Sequence, residues 1–339
     1  MKERLTEIEY LRAIACFSVI LVHITAGYLF LDTTGTVSKI LLLILNRALT
    51  YVVPAFIFIS GLVLSYNYQD KTVDYFKFIK KRIKNIAVPY FCWTAIFYLI
   101  FIQQRIYKVS FAFFLEKLFL GDMVYHLYFV VIIIQFYLLF GVFNRLFKKY
   151  NPLFLLVLMV ILNVLFMKYV YFRYVDRFFM QYLCFFALGC YFAGNYQQIK
   201  KKIYRYKYIL AISYLAMSLL IAQRFYEHVI LQNAGNAFLD NLLWLLFSFI
   251  AILFYFCLAL LLASSNLGRF KSFLQKVSVS SYDIYLGHPL MLMVAQKIIT
   301  YHLVPSTTIN FLLTVLFVGG TIVSAAFLYQ AQKRKLLLK

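Results

Sequence analysis

The sequence predicts an all-α fold, a polytopic integral membrane bundle of about ten transmembrane helices with both termini in the cytoplasm. Of its 339 residues, 64% are hydrophobic and only 14% are charged, a balance unlike that of soluble globular domains. Several apolar runs reach the roughly 18 residues that a helix needs to cross a bilayer. The 34 lysines and arginines fall mainly in the short segments between these runs, where they set the orientation of membrane proteins.

Ten apolar segments account for most of the chain. The first, residues 11–31, is longer than the apolar core of a secretory signal and lacks a small-residue cleavage site, so we expect it to remain as a span. The other nine segments follow at a spacing that suits helices of about 20 residues. Their limits are near 40–66, 86–104, 124–144, 153–172, 178–196, 207–223, 238–262, 278–301 and 306–330.

The distribution of basic residues predicts the orientation of these spans. With the N-terminus inside, 23 lysines and arginines fall in cytoplasmic segments and 9 in outer segments, as the positive-inside rule requires. The net charge of +22 therefore reflects topology and does not call for a nucleic-acid partner. No soluble domain interrupts the spans, which predicts one membrane-embedded domain over residues 1–339, with the basic stretch 67–85 as an interfacial helix.

The sequence lacks the motifs of several common chemistries. It contains no Gly-rich phosphate loop, no HExxH and no Gly-x-Ser-x-Gly elbow, so nucleotide hydrolysis, zinc proteolysis and serine-hydrolase chemistry have no support. All five cysteines lie in predicted spans without metal-ligand spacing, and we interpret them as small apolar residues. The chemistry must therefore come from polar residues within the spans.

Arg12 and His23 are ionisable residues in the first predicted span. They are 11 residues apart, which at about 100° per residue is three turns plus about 20°, so both face one side of the helix. Arg12 would lie at the cytoplasmic mouth and His23 about 16 Å deeper, near the bilayer midplane. Ionisable residues at that depth are costly and indicate functional sites. The structural alternatives are that Arg12 snorkels to the interface and that His23 forms an interhelical hydrogen bond.

A second histidine, His288, lies in the ninth predicted span, within the stretch SVSSYDIYLGHP. That span also enters from the cytoplasm, and the rise per residue places His288 about 15 Å deep, so the two histidines could line one cavity. Gly287 and Pro289 weaken the helix and free backbone groups that a protein-lined or water-lined site must satisfy. A purely structural kink at Pro289 is the alternative.

Two further groups of polar residues lie toward the membrane surfaces. The basic run that includes Arg82 and Lys84 is on the cytoplasmic side, where it could hold the phosphates of an anionic cofactor or attract anionic lipid. His126 and Tyr128 lie at the outer entry of the fourth span. An interfacial aromatic belt alone would account for a tyrosine at this place.

Four stretches, taken in order, resemble the membrane acyltransferase-3 family. The first is the pair Arg12 and His23, which is similar to the family's Arg-x10-His pattern. The second is VPAFIFISGLVLSY, an aromatic run with Ser60 and Gly61 at the place of the family's Ser-Gly. Together they cover the first two predicted spans.

The other two stretches resemble the family's basic motif and its C-terminal signature. KRIKNIAVPY contains Arg82, with Lys84 close by and Asn85 where the family often has a second arginine. SSYDIYLGHPL is similar to the family's Ser-Tyr-x-x-Tyr-Leu-x-His ending, with Tyr282, Tyr285 and His288 in register. The resemblance thus extends from the first span to the last.

The resemblance implies an integral membrane O-acyltransferase that moves an acyl group, acetyl or succinyl, from cytosolic acyl-CoA to a sugar hydroxyl of a cell-surface or secreted polysaccharide. Expected partners are the lipid bilayer, the acyl-CoA donor, an extracytoplasmic glycan acceptor and the polysaccharide synthesis machinery, and no metal is implied. The expected location is the plasma membrane of a bacterium.

The resemblance also implies roles for the residues named above. Arg12 would hold the phosphates or the thioester carbonyl of the donor, and His23 would act as general base or transient acyl carrier. His288 would orient the acyl group. Arg82, Lys84, Tyr282 and Tyr285 would complete the donor site, and His126 and Tyr128 would contact the glycan.

Transport without bond formation is the alternative, namely export or flipping of a polysaccharide such as poly-N-acetylglucosamine. The stretch HLYFVVIIIQFY is most similar to stand-alone family members from staphylococcal biofilm operons, which have also been called exporters. Against transport, the sequence shows no pair of broken helices in two related halves. A scaffolding protein would not need ionisable residues within its spans. The sequence identifies neither the acyl group, the glycan, the oligomeric state nor a role for Arg47.

Overall fold

The computed structural model describes residues 5–31, 34–302 and 307–337. In these ranges the chain is helical and has no β-strand, so the predicted all-α class is confirmed. The α-helices are α1 (Thr6–Leu29), α2 (Thr36–Ala48), α3 (Val52–Tyr68), α4 (Tyr75–Arg82), α5 (Val88–Gln103), α6 (Phe111–Leu120), α7 (Tyr128–Lys149), α8 (Pro152–Tyr169), α9 (Leu183–Gly194), α10 (Tyr196–Arg205), α11 (Lys207–Phe225), α12 (Ala237–Ser264), α13 (Gly268–His302) and α14 (Thr307–Leu337). Two π-helical turns, Ile83–Ala87 and Tyr226–Ile230, and two short 3-10 helices, Val175–Arg177 and Phe179–Tyr182, complete the helical structure.

Eight helical segments within the described ranges are long and apolar enough to cross a membrane. They coincide with eight of the ten predicted spans. The predicted span 178–196 is instead a 3-10 turn followed by the 12-residue α9. The predicted span 278–301 lies inside the 35-residue α13, whose serines and charged residues make it more polar than the others. The count of about ten spans and the cytoplasmic side of the termini stay predictions.

Two predicted segments have more internal structure than their hydrophobicity indicated. The segment 40–66 contains α2 and α3, which are separated by residues 49–51. Pro54 is tolerated in the first turn of α3 because the backbone N–H groups of a first turn have no intrahelical acceptor. In the basic segment 67–85, the side chain of Asp74 caps α4 by accepting a hydrogen bond from the backbone N–H of Lys77, at 3.2 Å.

The contacts within the chain divide it into two units, Met1–Phe56 with Lys200–Lys339, called unit 1, and Ile57–Ile199, called unit 2. In unit 1, α1 packs against α2, α12, α13 and α14. Cys16 contacts Ser281, and two turns later His23 contacts His288. Because these contacts advance together along both helices, α1 and α13 run parallel, as the prediction that both spans enter from one side requires.

Polar side chains in the interior of unit 1 fix the position of α1. The side-chain amide of Asn46, which is 0% exposed, donates to the carbonyl of Val22 and to the hydroxyl of Thr25, both at 2.8 Å. The hydroxyl groups of Ser18 and Tyr51 lie 3.2 Å apart. These contacts satisfy buried polar groups that would otherwise destabilise the fold. The two contacts of Asn46, at Val22 and Thr25, lie on either side of His23 along α1.

In unit 2, α3 and α9 approach closely through two glycines. A methyl group added at Gly61 would lie 2.4 Å from the carbonyl oxygen of Phe186, and one added at Gly189 would lie 2.3 Å from the carbonyl oxygen of Phe58. Both distances are far below a van der Waals contact. The Ser60–Gly61 stretch is therefore a packing motif, in which small residues let two helix backbones meet.

Two amide side chains in unit 2 hold the segment before α9 in its irregular conformation. Gln135 donates to the carbonyl of Arg177 at 2.8 Å and accepts from the backbone N–H of Phe179 at 3.1 Å. Asn163 accepts from the backbone N–H of Cys184 at 3.1 Å. These hydrogen bonds replace those of a regular helix, which explains why the apolar segment 178–196 does not form one long span.

An ion cluster lies at the connection between α6 and α7 of unit 2. The carboxylate of Asp122 accepts hydrogen bonds from Lys117 and Arg177, each at 2.6 Å. Burial alone would raise the pKa of Asp122, but the hydrogen bonds and positive charges of Lys117 and Arg177 lower it below its ordinary value. The cluster ties the start of α7 to the irregular segment before α9.

Candidate active site

The first helix carries both members of the Arg-x10-His pair. Because α1 is unbroken from Thr6 to Leu29, Arg12 and His23 lie on one helix face, about 16 Å apart along the axis. Arg12 is six residues from the start of α1 and His23 six residues from its end. At the start of α1, Glu7 is 5% exposed and forms an ion pair with Lys200 at 2.5 Å.

The imidazole rings of His23 and His288 are stacked between α1 and α13. Their centroids are 5.2 Å apart and their planes differ by 24°. His288 is 1% exposed, whereas His23 is half-buried. One turn beyond His23, Gly27 lies beside the side chain of Gln296 of α13, so the contact between α1 and α13 continues past the histidines. The structure thus brings together two histidines that are 265 residues apart in the sequence.

Pro289 determines how the imidazole of His288 is held. Pro289 lies inside α13 and has no N–H, so the carbonyl of Tyr285, four residues earlier, lacks its usual helical donor. The Nδ1 atom of His288 lies 2.7 Å from this carbonyl oxygen, and since a carbonyl only accepts, Nδ1 carries the proton. In neutral His288 the Nε2 atom is then the basic nitrogen. The helix break that the sequence indicated therefore fixes a tautomer.

The remaining residues of the C-terminal signature lie on α13 next to this pair. The ring of Tyr285 is 6.1 Å from that of His288 and is buried. Tyr282 is half-buried. Between them, Asp283 accepts a hydrogen bond from Gln330 of α14 at 2.6 Å. These contacts fix the rotation of α13 about its axis and hence the direction in which His288 faces.

Arg82 and Lys84 are in unit 2, at the end of α4 and in the following π-helical turn. The guanidinium group of Arg82 lies 5.1 Å from the ring centroid of Phe78 and 5.0 Å from that of Tyr137. Its Nε atom is buried and has no hydrogen-bond acceptor within the described part of the chain. Lys84 is exposed. Arg82 is therefore a preorganised cation, while Lys84 adds positive charge at the surface.

His126 and Tyr128 are also in unit 2, just before and at the start of α7. The ring of His126 is 1% exposed and lies 6.1 Å from Phe97 and 5.7 Å from Tyr125. Tyr125 is 53% exposed and covers His126. Because His126 is buried, a glycan could contact it only if neighbouring side chains such as Tyr125 turned aside.

The sequence did not predict the cavities that the described residues form, and two of these contain several polar side chains. One, of 460 Å³ in unit 2, is lined by Tyr75, Asn144, Arg145 and Lys148 among others. The other, of 250 Å³ in unit 1, has the lining Arg47, Ile221, Arg224, Phe225, His228, Val229, Asp240, Asn241, Leu243 and Trp244. His228 lies just beyond the predicted span 207–223. It belongs to a π-helical turn, in a segment that hydropathy alone predicts to be a loop. π-helical turns are frequent at functional sites, and this one could be recognised only from the structure.

The stacked histidines have a definite chemical capacity. His288 donates through Nδ1 to a neutral carbonyl, and His23 faces a second imidazole. Such a pair can take up a proton from a substrate and return it to a leaving group without a permanent charge in the interior. Arg12 on the same face of α1 offers a cation to an anionic substrate. The geometry therefore suits acid–base or nucleophilic chemistry.

Comparison with known proteins places this geometry in context. The model of the acyltransferase-3 family, described as an acyltransferase domain, matches residues 5–330. A Bacillus subtilis (strain 168) protein, YfiQ, whose name describes a membrane-bound acyltransferase, is 33% identical over 176 residues. The match covers 49% of this chain and 46% of that protein, so the chain aligns with about half of its length.

Staphylococcal proteins match over a longer region. A Staphylococcus aureus (strain MRSA252) protein named as a poly-beta-1,6-N-acetyl-D-glucosamine export protein is 26% identical over 312 residues, 86% of this chain and 83% of that protein. A Staphylococcus epidermidis protein of the same name is 24% identical over 311 residues, 86% of this chain and 82% of that protein. No solved structure matches the chain.

Proposed function

Because the chain belongs to the acyltransferase-3 family, we propose that it moves an acyl group, acetyl or succinyl, from cytosolic acyl-CoA to a sugar hydroxyl of an extracytoplasmic polysaccharide. The family makes it an acyltransferase. Its apolar helices together with its bacterial relatives make it a multi-pass bacterial membrane protein. The donor and the acceptor are our proposal. The observation that carries it is the stacked pair His23 and His288 with the tautomer of His288 fixed.

In the proposed reaction, His23 is the general base. It takes the proton of the sugar hydroxyl while the hydroxyl oxygen attacks the thioester carbonyl. The carbon–sulfur bond breaks, an ester bond forms, and the CoA thiolate leaves with the proton from His23. In a second route a ring nitrogen of His23 attacks the thioester carbonyl, the carbon–sulfur bond breaks, and CoA leaves as the thiol with the ring proton. The sugar oxygen then attacks the acyl-imidazole, the nitrogen–acyl bond breaks, and the hydroxyl proton returns to the ring of His23. His288 orients the acyl group and is available through Nε2 for a proton.

Cationic and aromatic residues would hold the donor. In unit 1, Arg12 would bind the phosphates or the thioester carbonyl of acyl-CoA, and Tyr282 and Tyr285 would line the path of the acyl group. In unit 2, Arg82 and Lys84 would bind phosphate. The buried Nε of Arg82, with no acceptor in the described ranges, supports this role because a guanidinium group binds phosphate oxygens well.

His126 and Tyr128 stay proposed contacts of the acceptor glycan. The burial of His126 under Tyr125 adds a condition, which is that Tyr125 moves when the glycan binds. A Tyr125→Ala variant with unchanged affinity for the glycan would contradict this role of His126.

Export is the second candidate function, because two of the relatives named above carry a name for polysaccharide export. An exporter would also need polar residues within its spans. It would not need a base of fixed tautomer, since no covalent bond is made. The two functions therefore differ in their dependence on His23.

Mass spectrometry of the surface polysaccharide separates the two functions. Ester-linked acyl groups and total exported polymer are quantified in cells with the wild-type protein, a deletion, His23→Ala, or Cys92→Ser, in which an exposed free cysteine serves as the control. Loss of esters with polymer still exported, in the deletion and in His23→Ala, supports the acyltransferase and gives the acyl mass. Polymer retained in the cell with its esters unchanged would establish export instead.

A further inference from the structure

The cavity in unit 1 that contains His228 lies between the end of α2, the end of α11 with its π-helical turn, and the start of α12. We call it the His228 pocket and define it by six polar or aromatic lining residues: Arg47, Arg224, His228, Asp240, Asn241 and Trp244. Its volume of 250 Å³ is slightly below the range of about 300–1,000 Å³ that is typical of sites for drug-sized ligands. It therefore suits one monosaccharide unit better than a large ligand.

A single carboxylate organises the polar side of the pocket. One oxygen of Asp240 accepts from Nε of Arg224 at 3.0 Å, and the other lies 2.8 Å from Nδ1 of His228. Because a carboxylate accepts, Nδ1 of His228 carries the proton and Nε2 of the neutral ring is an acceptor. The backbone of Gly235 lies so close to this ring that a methyl group there would be 2.5 Å from it. The orientation of His228 is thus fixed from two sides.

The pocket is connected to the surroundings of His23 through Arg47 and Asn46. The guanidinium group of Arg47 lies 3.9 Å from the ring centroid of Phe225 and donates through Nε to the side-chain oxygen of Asn46 at 3.0 Å. The amide nitrogen of Asn46 in turn donates to the carbonyl of Val22, the residue before His23. A ligand in contact with Arg47 is therefore two side chains away from the backbone that carries the proposed base.

We infer that the His228 pocket binds a neutral pyranose unit of the acceptor polysaccharide. Sugars are bound by planar polar groups that donate or accept hydrogen bonds and by aromatic rings against their C–H faces. In this pocket Asp240 accepts, Arg47 donates, Asn241 can do both, and Trp244 supplies the aromatic ring. Asp240 is compensated by Arg224, and Arg47 adds positive charge, so the pocket disfavours a cationic sugar. This inference rests on the proposed function, since a transferase to a glycan needs an acceptor site.

A purely structural ion cluster does not account for these features. In the cluster of unit 2, the carboxylate of Asp122 is likewise held by two basic side chains, Lys117 and Arg177, each at 2.6 Å. The cluster around Asp240 differs because it adds a histidine and lines a cavity together with a tryptophan. Partly buried charge partners that line a cavity together with an aromatic ring point to a ligand.

The pocket contains one of only two tryptophans in the chain, which gives a local signal. In the full-length protein in nanodiscs, Trp93→Phe leaves Trp244 as the sole tryptophan. Its fluorescence is titrated with a β-1,6-linked N-acetylglucosamine pentasaccharide, and in parallel with a β-1,6-linked glucose pentasaccharide, without any acyl donor. We expect a saturable change with at least one of them.

Variants assign the binding to the pocket. Asp240→Asn removes the central charge, and Asn241→Phe fills the cavity without breaking an ion pair. If Asp240→Asn fails to fold, Asn241→Phe still tests the pocket. Each should weaken binding at least tenfold. The control Glu227→Gln makes the same charge change one residue from His228, at a carboxylate that hydrogen-bonds Gln223 outside the pocket, and should leave the affinity unchanged.

Binding and acyl transfer are measured separately, so the two proposals can fail separately. Saturable binding that is lost in both pocket variants supports the pocket, even if the wild-type protein transfers no acyl group and the proposed function is wrong. Absence of a saturable change with both pentasaccharides, or equal affinity in Asn241→Phe and in the control, overturns the pocket even if transfer is active.

Discussion

Two helix–helix contacts in this protein are built in opposite ways. In unit 1, α1 and α13 meet through two imidazole rings whose centroids are 5.2 Å apart. In unit 2, α3 and α9 meet where side chains are missing, at Gly61 and Gly189. Each contact includes a stretch that resembles the family pattern. The contact between α1 and α13 therefore contains groups that can take part in a reaction, whereas the contact between α3 and α9 only brings two helix backbones close together.

The difference teaches that a family motif does not by itself indicate chemistry. The Ser60–Gly61 stretch and the Arg-x10-His pair match their family patterns equally well in sequence. Only the structure shows that Gly61 faces the carbonyl of Phe186, which explains it by packing, whereas His23 faces His288. Substitutions at the two contacts should accordingly separate activity from stability.

The largest effect is expected at the histidine contact. His23→Ala should reduce acyl transfer about 1,000-fold, or about 4 kcal/mol in the activation free energy, because it removes the proposed base. Thermal unfolding in detergent should change little. The matched control is Cys16→Ala, two turns earlier on the same helix contact, where neither quantity should change much. Equal activity in both variants would mean that the histidine contact is structural after all.

The glycine contact should show the reverse pattern. Gly61→Ala should lower the free energy of unfolding by about 3 kcal/mol, since its methyl group would overlap a backbone oxygen that cannot move aside. The control is Gly194→Ala in the same helix as Gly189. It has no neighbour within 4 Å and should be neutral or slightly stabilised. A stable Gly61→Ala protein without activity would instead assign a chemical role to the second motif.

Pro289→Ala sharpens the comparison, because at this position stability and activity should move in opposite directions. An alanine restores the N–H that bonds the carbonyl of Tyr285, so the helix should gain up to about 3 kcal/mol in stability. The imidazole of His288 would then lose its fixed partner and populate both tautomers. Turnover should fall about tenfold, and its pH profile should shift.

The control for that variant is Pro152→Ala. Pro152 is at the start of α8, where a proline breaks no helical hydrogen bond, so neither stability nor turnover should respond. If Pro289→Ala raised stability and left both turnover and its pH profile unaltered, the hydrogen bond between His288 and Tyr285 would have no part in the reaction.

The sequence predicted the fold class and the histidine pair for definite physical reasons. Apolar runs of bilayer length allow only helices, and the 3.6-residue period places Arg12 and His23 on one face. Such patterns are local or periodic, so they are readable without the structure. The meeting of His23 with His288, and the Pro289 break, could be anticipated because both histidines were placed at similar depth in spans of the same direction.

Other features depended on contacts that no local pattern contains. The irregular start of α9 is imposed by Gln135 and Asn163, which are distant in sequence and look like ordinary polar residues in apolar helices. The His228 pocket needs α2, α11 and α12 together, and His228 itself follows a predicted span instead of lying within it. No role for Arg47 could be assigned from the sequence. The structure shows its hydrogen bond to Asn46 and its contact with the ring of Phe225.

The smallest effect is expected at Asn46, which joins the two sites of unit 1. Asn46→Leu keeps a similar volume but removes the hydrogen bonds to Val22 and Thr25; because such bonds within membrane helices contribute modestly, the free energy of unfolding should fall by about 1 kcal/mol. Turnover should fall two- to fivefold, since the backbone next to His23 loses its support.

The control Asn163→Leu removes the hydrogen bonds of a comparable buried amide in unit 2 and should cost similar stability. If both variants lowered turnover equally, general loosening of the fold would explain the effect; a loss confined to Asn46→Leu would show that the connection from Arg47 to α1 matters for catalysis.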